Sequence, residues 1–127
     1  MFKDTHAFSS FSVDDLGKAK EFYGETLGLD VVETPEGLEL HIADSTPVFI
    51  YLSDNYTVPK HTVLNFPVDD IDAAVGELEA RGVRIEQYDL PDLKTDERGI
   101  FRGDDGPAAI AWFKDPADHV LSVLQGE

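Results

Sequence analysis

The chain has no cysteine. Disulfides and thiolate-held metals are therefore excluded, and a reducing compartment suits the composition. It also lacks any apolar run near the length of a bilayer span, and no basic-then-apolar leader pattern opens it. A soluble cytoplasmic protein with no membrane partner is expected. Cations are scarce: 10 Lys and Arg stand against 26 Asp and Glu, for a net charge of −16. Such a surplus repels polyanions, so no nucleic-acid partner is expected. The acidity fits either a surface kept soluble by charge or a site that favours cations, and the spread of the acids along the chain favours the first. No serine nucleophile signature occurs, and the Gly-Asp-Asp-Gly run at 103–106 lacks the spacing of a phosphate-cradling loop.

What the chain does have is a stretch written twice. Residues 6–16 and 61–71 align with one offset of 55, shared by His6/His61, Phe11/Phe66, Val13/Val68, Asp14/Asp69 and Asp15/Asp70. Each copy is a short alternating run, a pair of aspartates, then an amphipathic segment: strand, cap and helix. Asp14 and Asp69 are expected to cap the helices. Leu16, Ala19, Tyr23 and Leu27 form one helical stripe, and Ile71, Ala74, Val75 and Leu78 the other. Gly28 and Gly82 stop them, at an offset of 54, so the second helix is one residue shorter.

Strands are expected at about 29–33, 37–43 and 47–52 in the first half, and at 83–88, 108–114 and 119–125 in the second. The run at 115–119 is a tight turn and keeps His119 in a structural role. Residues 53–60 connect the halves, and 89–107 is a long charged loop. The fold class is α+β: two tandem βαβββ modules, about 5–53 and 60–126, within one domain of 127 residues. Each module has a sheet with one helix-covered face. The two bare faces are expected to close into a cupped mixed sheet with a shared cavity.

The set Phe11-Ser12-Val13-Asp14-Asp15-Leu16, Phe22-Tyr23, Leu27-Gly28-Leu29, Phe66-Pro67-Val68-Asp69-Asp70-Ile71, Glu79-Ala80-Arg81-Gly82-Val83 and Trp112-Phe113-Lys114-Asp115-Pro116 occurs in order. With His119-Val120-Leu121 at its end, this series resembles the vicinal oxygen chelate superfamily. That group takes in glyoxalases, bleomycin resistance proteins and extradiol dioxygenases. The resemblance implies the paired-module fold, a homodimer, and a small-molecule ligand. It also implies four positions that feed one metal in the metal-dependent members. Here those positions hold Phe8, Val63, Ser122 and either Ile50 or Tyr51, a set that cannot chelate. His6 and His61 stand two residues before the usual ligand positions, roughly 7 Å along a strand, too far to replace them, which leaves only a different, atypical site near the strand starts open to them.

Residues of the cavity-facing parity are the candidate ligand-binding set: Phe8, Ser10, Tyr51, Val63, Asn65 and Ser122. An apolar cup with a few hydroxyl and amide groups is a common small-molecule lining. Trp112 could stack on a flat ligand or serve as core. Phe101 and Arg102 complete the set, Arg102 either anchoring an anionic group or pairing with one of the many acids. Glu39 and His41 share a strand face and form either an acid/base pair or a solvated side. No catalytic residue is assigned.

The reading that follows is a metal-free small-molecule binding protein of the bleomycin-resistance type, for a drug or toxic metabolite, with no cofactor. The alternative is an enzyme, a lyase, isomerase or dioxygenase of the glyoxalase type, holding one divalent metal ion through an atypical ligand set. A third is an interaction module with a filled cavity.

Overall fold

Alternation over Ser10–Val13 sets strand β1 in the computed structural model, which describes residues 1–55, 57–103 and 108–126. The chain divides into two units, Met1–Thr57 and Val58–Glu127. In the first, β1 leads into helix α1 (Leu16–Lys20), a π-helical segment (Glu21–Thr26), then β2 (Asp30–Thr34), β3 (Gly37–His41) and β4 (Val48–Leu52). The sheet order is β1-β4-β3-β2, with β1 parallel to β4 and the other pairs antiparallel.

One face of this sheet is core. The row Phe11, Ile50 and Leu38 runs directly across three strands, with Val13 and Leu40 beside it, and all five are buried. Ala19 and Tyr23 close over them from the helix, and the Tyr23 ring meets Phe11 and Phe22. Burying each large apolar side chain in such a layer is worth about 1.5–3 kcal/mol. The opposite face bears no helix of this unit.

The second unit repeats the plan with β5 (Thr62–Pro67), α2 (Ile71–Ala80), β6 (Asp89–Leu90), β7 (Leu93–Lys94), β8 (Ile100–Arg102), β9 (Ala109–Lys114) and β10 (Val120–Gln125). Its sheet order is β5-β10-β9-β8, again one parallel edge pair followed by antiparallel pairs. Pro67 is tolerated because β5 is an edge strand. Leu121, Val123, Ala111, Phe113 and Ile100 are buried on one face, where α2 adds Ile71, Val75 and Leu78.

The structure corrects several expectations. The second aspartate of each pair is the cap, since Asp15 accepts from Lys18 N at 3.0 Å and Asp70 from Ala73 N at 3.2 Å. Their extended backbone, φ −151° and −138°, is what a cap position requires. The first helix is also not α throughout. Between cap and stop it carries one residue more than α2, and the surplus is absorbed as the π turn, with Leu27 N bonded to Phe22 O five residues back. In α2, by contrast, Gly82 N bonds to Glu79 O and Val83 N to Leu78 O, which is the Schellman ending. Both stop glycines have positive φ, 75° at Gly28 and 83° at Gly82.

Residues 83–88 are not a continuous strand. They touch the sheet through an Ile85–Phe113 bridge and a Glu86 N to Trp112 O bond of 2.8 Å. The edge position next to β9 is completed by β8, out of the stretch expected to be loop. The β6–β7 hairpin rises between these two pieces. Gly99, at φ 85°, turns the chain back into β8. The early run at 6–9 and residues 42–43 likewise stay outside strands.

Candidate functional site

In the first unit the pleat sends Ser10, Phe49, Glu39 and Val32 in one row onto the helix-free face, with Ser12 paired to Tyr51 in the next. Ile50 is buried among the helix-side residues, so Tyr51 is the β4 residue that points the other way. The Phe49 and Tyr51 rings stack, 6.0 Å apart and 17° from parallel. Glu39 Oε1 lies 2.9 Å from His41 Nε2, with both side chains partly exposed.

Above this face is an open depression of about 290 Å³, lined by Phe8, Thr34, Glu36, Glu39, Thr46, Pro47 and Phe49. Its chemistry is one-sided: two carboxylates, two aromatic rings, two hydroxyls and no cation. A positively charged ligand would find both ion pairing and ring faces there. Phe8, 65% exposed, is a ring left for contact rather than core.

In the second unit the helix-free row is Asn65, Ser122 and Trp112, directly opposite one another on β5, β10 and β9. Ser122 is fully buried, and its hydroxyl donates to Asn65 Oδ1 at 2.6 Å. Trp112 meets Tyr88 edge to face at 5.5 Å. Phe101 pairs with Ile110 on this same face. Val63 lies at the register shift between β5 and β10, where Thr62 and Leu64 oppose consecutive residues of β10.

Arg102 is brought elsewhere. It sits on the parity of Ile100, and its Nη2 is 3.1 Å from both carboxylate oxygens of Asp72 in the first turn of α2. Arg98 joins the same carboxylate at 3.1 Å. The structure thus gathers Phe8 with Phe49 and Asn65 with Ser122 and Trp112, while Arg102 belongs to an ion-pair cluster on the helix side.

Metal ligation finds no support in this geometry. At the positions where the family resemblance implies metal ligands, the Phe8 and Val63 side chains have no ligating atom and the Ser122 hydroxyl donates to Asn65. Tyr51 alone does not make a set. His6 and His61 are exposed and outside the strands. Among the described residues no group of three or more His, Asp or Glu side chains could hold an ion. No described helix is long and apolar enough to cross a membrane, which says nothing of a β-barrel. The 103–106 run lies mostly outside the described residues.

Thr34, Glu36, Thr46, Pro47 and Phe49 line the depression but were not singled out by sequence. Phe49 shares parity with Tyr51 and could have been found by extending that alternation. The other four come from strand ends and turns, where no periodicity marks a face.

The profile of the Glyoxalase/Bleomycin resistance protein/Dioxygenase superfamily matches residues 6–123, and the chain belongs to that family. Among solved structures it is similar to FosX, a genomically encoded fosfomycin resistance protein of Listeria monocytogenes. That pair has a TM-score of 0.71 at 15% identity, over 95% of this chain and 92% of that one. It is also similar to TnmS3, an antibiotic binding protein from a Streptomyces species, with a TM-score of 0.63 at 25% identity, over 100% and 99%. A virulence protein of Salmonella typhimurium aligns over 100% of both chains at 20% identity and a TM-score of 0.66. No curated protein sequence matches the chain.

Proposed function

We propose that the protein binds a flat, cationic organic molecule, such as a drug or a toxic metabolite, without a metal and as a homodimer. The observation that carries this is the lining of the first-unit depression, where Glu36 and Glu39 are set among Phe8 and Phe49 with no Lys or Arg in the lining. A net charge of −16 adds a long-range field that concentrates cations near the surface. The antibiotic-binding relative supports the same use of the fold, while the fosfomycin resistance protein supports the fold alone.

Titration with 9-aminoacridine, followed by calorimetry, tests the reading. Glu39→Gln removes one carboxylate and weakens binding about tenfold, and raising the salt weakens it further. Unchanged affinity in Glu39→Gln, or no binding to the wild type, would sink it. Sedimentation equilibrium checks the dimer, which a monomer at tens of micromolar would contradict.

An enzymatic reading rests on one specific contact. Glu39 and His41, hydrogen-bonded on a helix-free face, form an acid/base pair of a kind that moves protons. Metal analysis of protein purified without chelators separates the two, since a stoichiometric divalent ion would favour the lyase or dioxygenase reading.

A further inference from the structure

The second unit presents a different chemistry from the acidic depression of the first. Its helix-free face carries Val120, Leu124, Ile110 and Phe101, all half-buried, around the row Asn65, Ser122 and Trp112. On an apolar face a single polar pair sets what can bind, because an unmatched polar group must be desolvated without return.

The orientation of that pair is decided by hydrogen-bond arithmetic. Ser122 is 0% exposed, and a buried hydroxyl needs a partner. Its 2.6 Å separation from Asn65 is short for N–H···O and ordinary for O–H···O, so the atom facing Ser122 is the amide oxygen. The amide nitrogen then points the other way. Asn65 is exposed, and among the described residues its Nδ2 group has no partner. Ser122 therefore acts as a positioning residue: it holds the amide oxygen toward itself, so that the Asn65 Nδ2 donors are turned outward on this face.

The charges nearby narrow the ligand further. Lys114 shares the parity of Trp112 but is engaged with Glu86 at 3.8 Å, and Arg102 is turned to Asp72 on the helix side. An anionic ligand group would have to compete with Glu86 for Lys114, whereas a neutral acceptor needs no countercharge. We infer that Asn65, held by Ser122 beside Trp112, recognises a neutral carbonyl-type acceptor on a flat apolar molecule. This deepens the small-molecule reading and rests on it, but names a separate subsite and a separate chemistry.

The test is a ¹⁵N–¹H NMR titration of the full chain with 1-indanone and with indane, two bicyclic probes of nearly equal shape that differ by the carbonyl. The expected result is that 1-indanone shifts the Asn65 Nδ2 protons and the Trp112 Nε1 proton and binds about fivefold more tightly than indane, which shifts only Trp112. Ser122→Ala abolishes that preference while leaving the sheet resonances in place, and Ser122→Thr, which restores the hydroxyl, recovers it. Equal affinity for the two probes, no shift at Asn65, or a preference that survives Ser122→Ala would each overturn the inference. Because 9-aminoacridine is scored through Glu39 and indanone through Asn65 and Trp112, failure of this inference and failure of the cation-binding reading give different results.

Discussion

The two units follow one plan and diverge where a residue count or a glycine allows it. Both have a capped helix over a four-stranded sheet with a parallel edge pair. In the first, a surplus residue between cap and stop is absorbed as a π turn, and the edge strand β2 is unbroken. In the second, the helix ends in a regular Schellman turn, but the edge beside β9 is split by the β6–β7 hairpin. Their helix-free faces also part company, one acidic and aromatic, the other apolar with a single amide–hydroxyl pair. The shared part is what the buried rows require. The differing part lies on the sheet faces that the helices do not cover.

The split edge depends on Gly99, and breaking it is expected to cost the most. A Cβ there would stand 2.5 Å from Ile85 Cγ2 and 2.7 Å from Glu86 O, on top of a φ of 85°. Gly99→Ala should destabilise by about 3 kcal/mol, from backbone strain and overpacking together. Gly82 is the matched control, with positive φ but nothing within 4 Å of an added Cβ. Gly82→Ala should lose only about 1 kcal/mol. Urea unfolding of both variants measures the difference, and equal losses would contradict the packing account.

The turn before β10 is held partly by a buried carboxylate. The buried Asp115 carboxylate accepts from Ala117 N at 2.9 Å and His119 N at 2.8 Å. Asp115→Ala leaves these donors without that acceptor and is expected to cost about 2 kcal/mol. A midpoint within error of the wild type would show the turn is held by other contacts.

The Asp72 cluster that ties β8 and Arg98 to α2 should matter less, because its side chains are 39–54% exposed. Asp72→Asn is expected to lose about 0.5–1 kcal/mol at low salt and less at 0.5 M NaCl. A loss that does not shrink with salt would mean packing rather than charge.

The smallest effect concerns the helix length itself. Deleting the exposed Glu25 removes the surplus residue and should turn the π segment into α-helix, matching α2 in register. The fold should survive with a change within about 1 kcal/mol, since the buried Ala19 and Tyr23 precede the cut. Loss of cooperative unfolding would show that the π turn is required, and hydrogen exchange would report which helix bonds form.

Much of this was legible in advance. The 55-residue offset, the apolar stripes ending at Gly28 and Gly82, and the turn at 115–119 all follow from local chemistry, and each is present. The choice between Asp14 and Asp15 was not legible, because both are good caps and only backbone angles select one. Nor was the substitution of Ile100–Arg102 for 83–88 at the sheet edge, since both stretches are short and periodicity does not record which neighbour a strand pairs with. Whether Ile50 or Tyr51 faces away from the helix needed the β1–β4 register, and Arg102 needed Asp72, which lies 30 residues away.

The sequence by itself determined the duplicated strand–cap–helix plan, the family, and the apolar side chains Phe8 and Val63 at two of the positions where the resemblance implies ligands. These depend on side-chain identity and on spacings within one element. Tertiary structure alone decided which strand completes the second edge, that Ser122 orients Asn65, and that Glu36 and Glu39 meet Phe8 and Phe49 around one depression. Those outcomes depend on which segments hydrogen-bond side by side, a long-range property that local periodicity cannot encode.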